Sequence, residues 1–297
     1  MKSRFYIIIS LVADVLIAIF KFIAAAITGS SSMVSEAIHS VIDAISQVLL
    51  ILGVRKSKKE PDELRPFGYG KELYFWSFVV SLVIFVLGGC ISFYEGLLRT
   101  RQPDFIGSPT MSYIILAIAF VFNIITISSV LKVFNKQRSE DSFLKAVINS
   151  KDPSTFIVLM GDVADLLGLL IAFLGVYLGR LLHHPYYDGI ASMMIGVILI
   201  GTSMLLVRES KSLLMGESIS RKTIRKIVSL AETDEAILKV KKHFSTYMAP
   251  EEILLQLIAV FKKELTTTQI TDSIERISKS IKTAYPWIKQ IFIEPEK

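Results

Sequence analysis

The amino-acid sequence predicts a polytopic α-helical membrane protein with six transmembrane helices, followed by a small cytoplasmic α+β domain. Three observations predict this fold class. Of the 297 residues 52% are hydrophobic, the mean hydropathy is +0.54, and the apolar residues lie in long runs between charged connections. A soluble protein of this length is rarely so apolar, whereas a run of about 20 apolar residues is long enough to cross a bilayer.

Six apolar runs are long enough to span a membrane. The first begins almost at Met1 and could be taken for a signal peptide, but it is longer than a signal-peptide core, and a second run follows within a few residues. We therefore expect it to remain in the protein as a helix. The predicted spans are Phe5–Ile27, Met33–Val54, Leu73–Leu98, Met111–Phe134, Phe156–Leu182 and Tyr186–Val207.

Lysine and arginine are distributed unevenly among the connections. They concentrate in the second and fourth connections, Arg55–Lys71 and Lys132–Lys151, and are sparse in the third and fifth. Cytoplasmic loops carry the excess of positive charge in multi-pass proteins. This predicts a multi-pass protein of the cell inner or plasma membrane with both termini in the cytoplasm. The same asymmetry accounts for the net charge of +6, so no nucleic-acid partner is expected.

The chain changes character after Glu209, which divides it into a predicted transmembrane domain at 1–210 and a predicted cytoplasmic domain at 211–297. In the second part, apolar residues recur at helix and strand periods instead of in continuous runs. The predicted order is α-β-β-α-β. The elements are a helix at Ser220–Ala231, strands at Val240–Thr246 and Ile253–Phe261, a helix at Thr271–Ala284 and a strand at Ile288–Ile293.

Five potential metal ligands lie inside the predicted spans. A charge at the bilayer centre costs about 2.5–3.5 kcal/mol on insertion scales, so such residues are candidates for function. His39 and Asp43 are four residues apart in the second span, which puts them on one helix face. Asp162 and Asp165 share a face of the fifth span, and Asp14 lies in the first. Imidazole with carboxylates suits zinc and neighbouring divalent metals.

These residues also have structural interpretations when taken singly. His39 and Asp43 could form a buried hydrogen bond. Asp14 could be neutralised by Lys21, seven residues later on the same helix face. Taken together, His39, Asp43 and Asp162 have few compensating cations at the same depth, so they need a positive charge between them.

Other polar residues are weaker candidates. Glu36 and Asp188 lie near span ends, where we expect water to reach them. His183 and His184 are adjacent near the external end of the fifth span, where both rings cannot easily face one ion, and His243 is expected to be a packing or surface residue. The single cysteine excludes an internal disulfide and a cysteine-based metal site.

Several short strings carry a resemblance to a known family. They are Lys21 seven residues before Thr28-Gly29-Ser30, the string Ser35-Glu36-Ala37-Ile38-His39-Ser40-Val41-Ile42-Asp43, the string Pro66-Phe67-Gly68-Tyr69-Gly70-Lys71-Glu72, Asp162, and Tyr187-Asp188-Gly189-Ile190-Ala191. In this order and spacing the chain resembles the cation diffusion facilitators, a family of metal–proton antiporters. Residues 150–155 resemble the branch that includes a mitochondrial zinc transporter of animals.

The resemblance implies a fold and a transport site. The implied fold has six helices and a cytoplasmic metallochaperone-like domain, and it works as a homodimer. The implied site takes two ligands from the second helix and two from the fifth. By position His39, Asp43 and Asp162 match three of them, and Val158 stands where the family has His or Asp.

The missing fourth contact has several possible sources. Asp14, Asp165, a backbone group or water could supply it, and Asp14 stands near the site where the family often has Asn. Arg65 and Tyr69 stand in the second connection where the family often has histidine. The C-terminal domain has Glu294 and Glu296 near the family's last zinc-ligand positions, and His243 is its only histidine. We therefore expect it to dimerise without the usual zinc cluster.

The expected function is export of divalent metal ions from the cytoplasm in exchange for protons, with one intramembrane site and no resident cofactor. Zinc is the expected ion, and manganese, iron, cobalt or cadmium suit similar ligands. A metal binds deprotonated ligands, so protons compete with it. The expected partners are the metal ion, protons, membrane lipids and a second copy of the chain.

Two other classes of function compete with transport. A metal-dependent membrane phosphotransferase needs a denser acidic motif and a phosphate-binding arginine at membrane depth, and Asp162 and Asp165 have neither. A metal sensor or scaffold would use its spans only as anchors, and an anchor gains nothing from buried ionisable residues such as His39. The sequence therefore predicts a transporter and not an enzyme.

Overall fold

The structure is a computed structural model that describes residues 2–102, 109–136 and 151–296. Within these ranges it describes the side chains of all residues except 2–14, 109, 126 and 129–136. The chain divides into a first unit, residues 1–55 and 75–210, and a second unit, residues 56–74 and 211–297. Nothing in the sequence predicted that the connection at 56–74 would group with the C-terminal residues.

The first unit is a bundle of long helices, which confirms the predicted polytopic fold. The helix α3 continues through a π-helical turn, Ile84–Cys90, into α4, so that the two form one span. The helices are α1 (Lys2–Thr28), α2 (Ser31–Ser57), α3 (Glu72–Val83), α4 (Ile91–Arg101), α5 (Pro109–Lys136), α6 (Pro153–Leu181) and α7 (Tyr186–Met215).

The length and composition of several helices suit a membrane-spanning role. In the described part of the chain, α2, the span Glu72–Arg101, α6 and α7 are each long and apolar enough to cross a bilayer. Shorter apolar stretches, Val15–Thr28 and Thr110–Ile125, come from α1 and α5. Most helices extend beyond the predicted runs because polar residues at the run ends keep the helical backbone, as where α7 continues past Val207 to Met215.

In the first unit, many apolar side chains lie on the surface and many polar side chains lie inside, the reverse of a soluble protein. Large apolar side chains face outward, including Leu16, Phe20 and Leu174, which are 50–55% exposed. The lipid-facing surface of a transmembrane bundle is apolar, and small and hydroxyl-bearing residues pack between its helices. Among the side chains that the structure describes, the fully buried serines of the unit are Ser30, Ser32, Ser35, Ser77, Ser81, Ser92, Ser112, Ser192 and Ser203.

Asp188, in the first turn of α7, holds the start of α2. Its Oδ1 accepts hydrogen bonds from the hydroxyls of Ser30 (2.6 Å) and Ser32 (2.5 Å). Its Oδ2 accepts from the backbone N–H (2.5 Å) and the hydroxyl (3.0 Å) of Ser31. The expectation that water reaches Asp188 is therefore wrong, since the residue is 1% exposed. The carboxylate caps α2 and faces the positive end of its dipole.

Close backbone packing joins α4 to α7. A Cβ added at Gly96 would lie 2.5 Å from the backbone nitrogen of Met193, and one at Gly189 would lie 3.0 Å from the carbonyl oxygen of Gly96. Only glycine permits this approach, which is the usual role of small residues between membrane helices.

The second unit contains the predicted α-β-β-α-β domain. The strand β2 lies in the middle of the sheet, antiparallel to β1 and parallel to β3. Buried residues alternate along β2 and include Leu255 and Leu257, which are 0% exposed. They pack under Ile227 and Ile281 of the two helices. The elements are α8 (Arg221–Ala231), β1 (Ile237–Ala249), β2 (Glu252–Phe261), α9 (Thr267–Ala284) and β3 (Ile288–Glu296).

The start of α9 lies one turn before the predicted Thr271. Thr266 forms a capping box with Gln269: the Thr266 hydroxyl accepts from the Gln269 N–H, and the Gln269 side chain accepts from the Thr266 N–H. This pair satisfies donors that would otherwise be unpaired and lengthens the helix toward its N-terminus. The apolar period alone did not indicate it, since the first turn is polar.

The connection at 56–74 is fixed by its own side chains. The Tyr69 hydroxyl donates to Asp62 Oδ2 (2.5 Å), which lowers the pKa of Asp62 and raises the pKa of Tyr69. The guanidinium of Arg65 donates to Glu72 (2.8 Å) and lies 4.5 Å from the Tyr69 ring centre. A Cβ at Gly70 would collide with the carbonyl oxygen of Met248. The connection therefore packs closely on the turn between β1 and β2.

Candidate metal centre

The helix α2 presents Glu36, His39 and Asp43 on one face, as their spacing requires. His39 Nε2 lies 3.5 Å from Asp43 Oδ2. The imidazole is almost fully buried, with 2% of its side chain exposed, whereas Asp43 is 27% exposed. The predicted i, i+4 pair is thus in contact and lies partly open on its carboxylate side.

Asp165 of α6 approaches the other nitrogen of His39. Asp165 Oδ1 lies 3.7 Å from His39 Nδ1. Ligand atoms of Glu36, His39 and Asp165 all lie within 4.8 Å of one another. Among the described His, Cys, Asp and Glu side chains, these three converge closely enough to hold one metal ion. Sequence reasoning had included His39 and Asp165 but had set Glu36 aside.

Glu36 is buried, contrary to the expectation that water reaches it. Its exposed fraction is 0%, because its carboxylate lies against the backbone of α6, where a Cβ at Gly168 would collide with Glu36 Oε1. Glu36 Oε1 and His39 Nδ1 are both buried without a hydrogen-bond partner in the described part of the chain. Buried polar atoms are usually satisfied, so these two atoms, on side chains that converge, are available to a ligand.

Lys21 of α1 is a buried cation at the same depth. Its Nζ donates to Glu36 Oε2 at 2.9 Å and to Asp165 Oδ1 at 3.4 Å. One buried cation therefore compensates part of the carboxylate charge at this depth. Glu36 and Asp165 bind Lys21, which had been paired in the sequence with Asp14; the Asp14 side chain lies outside the described residues. Lys21 makes the burial of two carboxylates tolerable.

Asn123 of α5 completes the surroundings of Asp165 by donating to Asp165 Oδ2. The carboxylate therefore bonds to α1 through Lys21 and to α5 through Asn123 while facing His39 of α2. Sequence reasoning missed Asn123. Its signal was an amide in the middle of an otherwise apolar run.

Asp162, the predicted ligand of α6, is half-buried one turn before Asp165. A Cβ at the neighbouring Gly161 would lie 3.9 Å from Asp43 Oδ1, so the carboxylate of Asp43 faces this turn of α6. Val158 packs against the apolar core. The structure thus brings His39 together with Asp43 and with Asp165, and Asp43 approaches the turn that carries Asp162.

The remaining candidates lie away from this centre. His183, His184 and His243 are exposed, as expected of surface residues. In the second unit, Glu294 accepts a hydrogen bond from Gln256 at 3.1 Å. Glu296 lies 3.3 Å from Lys241.

Comparisons with known proteins place the chain in a family. The cation efflux transmembrane domain matches residues 7–215. A Xenopus laevis protein named proton-coupled zinc antiporter SLC30A9, mitochondrial, is 34% identical over 236 residues, which are 79% of this chain and 42% of that protein. The chain thus spans about two fifths of that relative's length. A Bacillus subtilis protein named manganese efflux system protein MneP is 22% identical over 98% of this chain and 95% of its own length.

One solved structure resembles the C-terminal residues. It is the nickel form of a single-residue variant of the MamM C-terminal domain, 18% identical, with a TM-score of 0.25, covering 26% of this chain and 96% of its own. The transmembrane match covers most of the chain and confirms the resemblance, and it excludes the phosphotransferase alternative. The chain belongs to the cation efflux family, the cation diffusion facilitators, which are membrane transporters of metal ions.

Proposed function

We propose that this chain exports divalent metal ions from the cytoplasm in exchange for protons, with zinc as the main ion. The observation that supports this most directly is the meeting of imidazole and carboxylate groups around a buried His39 inside a helix bundle. The name of the Xenopus laevis relative supports zinc and proton coupling. The name of the Bacillus subtilis relative supports manganese as the alternative ion.

We infer that the ion binds on the Nε2 side of His39. Asp43 lies 3.5 Å from that nitrogen and faces the turn of α6 that carries Asp162. His39, Asp43 and Asp162 are then the protein ligands, and water fills the fourth position in place of Val158. Three protein ligands with one open position are common where a zinc site must exchange its ligands.

Asp165 then orients His39 from the opposite side. A metal-bound imidazole usually donates its second N–H to a carboxylate, which fixes the ring and strengthens the ligand. Asp165 Oδ1, 3.7 Å from His39 Nδ1, is suited to this role, and Lys21 and Asn123 hold it there. Asp14 remains a second candidate for the fourth position.

Protons and metal compete for the same atoms. The carboxylates and the imidazole bind a metal only when they are deprotonated. A proton gradient can therefore drive release of the metal on the far side, once the helices expose the centre there. The net negative charge of the ligand set makes one bound cation favourable at this depth.

Proteoliposomes containing the full chain test this function. A zinc gradient should drive proton flux, and Asp43→Ala and Asp162→Ala should abolish it while leaving the protein folded. Glu275→Ala removes an exposed carboxylate of the second unit and serves as the matched control. If both ligand variants transport at the wild-type rate, the ligand assignment is wrong. If wild type moves no divalent ion in a panel of zinc, manganese, iron, cobalt and cadmium, the proposed function is wrong.

We further propose that the transmembrane domain comprises 1–210, that the domain at 211–297 is cytoplasmic and metallochaperone-like, and that the protein is a homodimer. The positive charge of the second and fourth connections supports this orientation. In a Cys90→Ser background, a cysteine at Ser108 should react with an impermeant reagent from outside and one at Ser57 should not. The reverse pattern would overturn the orientation. Cross-linking in membranes tests the dimer.

A further inference from the structure

The two ring nitrogens of His39 face two different groups. Nε2 faces Asp43, the side assigned above to the transported ion. Nδ1 faces Asp165. A ligand atom of Glu36 lies within 4.8 Å of ligand atoms of both His39 and Asp165. This second side contains two carboxylates and an imidazole nitrogen, which is a sufficient ligand set for a divalent cation.

A lysine already occupies that second side. Lys21 Nζ lies 2.9 Å from Glu36 Oε2 and 3.4 Å from Asp165 Oδ1, and 1% of the lysine side chain is exposed. The ammonium group bridges the two carboxylates as a bound cation would. Unlike a free ion, it is tethered to α1 and cannot leave. Glu36 Oε1 nevertheless has no hydrogen-bond partner among the described residues. This oxygen could therefore still bind a metal ion.

We propose that Lys21 is a specificity-determining residue: its tethered ammonium group takes the cation position between Glu36 and Asp165 and withholds their oxygens from the transported ion. This inference rests on the proposed transport function and deepens it. The ion is confined to the Nε2 side of His39, where it meets Asp43 and Asp162 instead of all four carboxylates. The chain then binds one ion at the centre and favours zinc over harder, oxygen-seeking ions.

The positive charge of Lys21 accounts for this specificity, because it acts on any cation that binds nearby. A unit positive charge a few ångströms from the centre repels a divalent ion strongly in a medium of low dielectric constant. Removing it exposes two additional carboxylates that already lie near the imidazole. An oxygen-rich, more negative set of ligands suits manganese better than zinc.

Metal binding to the purified full-length chain in detergent, measured by titration calorimetry with zinc and with manganese, tests the proposal. Lys21→Met removes the charge, Lys21→Gln removes it but keeps a hydrogen-bond donor, and Lys21→Arg keeps it. Lys21→Met and Lys21→Gln should raise affinity for manganese relative to zinc by about tenfold or more, and should bind a second ion. Lys21→Arg should retain the wild-type ratio.

The double variant Lys21→Met/Glu36→Gln separates selectivity from stability, since it removes both partners of the ion pair. It should lose the second ion and most of the gain in manganese affinity. The proposal is overturned if folded Lys21→Met and Lys21→Gln bind one ion with the wild-type ratio of zinc to manganese affinity. It is also overturned if these variants differ from the double variant only in melting temperature. Failure of wild type to bind either metal would instead refute the proposed function, whatever the variants do.

Discussion

The first unit buries Lys21, Glu36 and His39 while it exposes apolar side chains such as Phe20. The second unit buries Leu255 and Leu257 and exposes charged side chains such as Lys241, whose partner Glu296 on β3 is also exposed. The solvent explains the difference: in lipid, apolar residues gain little from moving inward, so helices associate through packing and polar contacts. In water, apolar burial dominates. Buried polar groups thus concentrate in the unit whose helices bring Glu36, His39 and Asp165 together.

The largest expected effect is in the first unit. Asp188→Ala should lower the free energy of unfolding by about 3–5 kcal/mol, because it leaves several buried donors of Ser30, Ser31 and Ser32 without their acceptor. Unfolding in mixed micelles, followed by tryptophan fluorescence, measures this. Glu275→Ala should leave the value unchanged. Equal stability of wild type and Asp188→Ala would show that polar contacts do not hold this unit together.

The second unit should respond to the loss of apolar volume. Leu257→Ala, at a position with 0% exposure, should destabilise the domain by about 2–5 kcal/mol through lost burial and a cavity. Leu238→Ala, at a position 60% exposed on β1, should change it by less than about 0.5 kcal/mol. Hydrogen exchange of the β2 amides in the full-length chain reports both. If both variants lost the same amount of amide protection, Leu257 would not be part of the core as assigned.

A smaller effect should appear as a pH dependence of the second unit. Burial alone would raise the pKa of Asp234, but hydrogen bonds from Arg276 (3.1 Å), the Ala236 N–H (3.0 Å) and Ser273 (2.8 Å) lower it below its ordinary value. Because the pKa is lower in the folded state, Asp234 stabilises the unit above its unfolded pKa. This contribution is lost as pH falls through the folded pKa.

Asp234→Asn should therefore cost about 1–2 kcal/mol near neutral pH and progressively less as the solution is acidified. Equilibrium unfolding between neutral and acidic pH measures the difference between wild type and variant. A difference that stays constant with pH would show that Asp234 acts through its shape and not through its charge.

The smallest effect is expected from His243, which is exposed on β1. His243→Ala should leave the zinc stoichiometry of the full-length chain unchanged, since a single imidazole holds zinc weakly. Titration calorimetry measures the stoichiometry, with His39→Ala as the comparison that should lose tight binding. Loss of one tightly bound zinc ion in His243→Ala would place a metal site in the second unit.

Local patterns predicted much of this molecule. The i, i+4 spacing of His39 and Asp43 predicted their contact because the helix period fixes which residues share a face. The alternation along β2 predicted its buried and open sides. Asn123, in contrast, contacts Asp165 on a different helix, and no spacing along α5 indicates that partner.

The sequence predicts the spans, the α-β-β-α-β order and the helix face that carries His39, because each follows from local periodicity. Only the tertiary structure decided that Lys21 bridges Glu36 and Asp165, residues 15 and 144 positions away from it, and that Asp188 is buried. The physical reason is that periodicity fixes the direction of a side chain relative to its own helix axis. Which neighbour it meets depends on how the helices rotate and pack, as where Glu36 lies in the space that Gly168 leaves open.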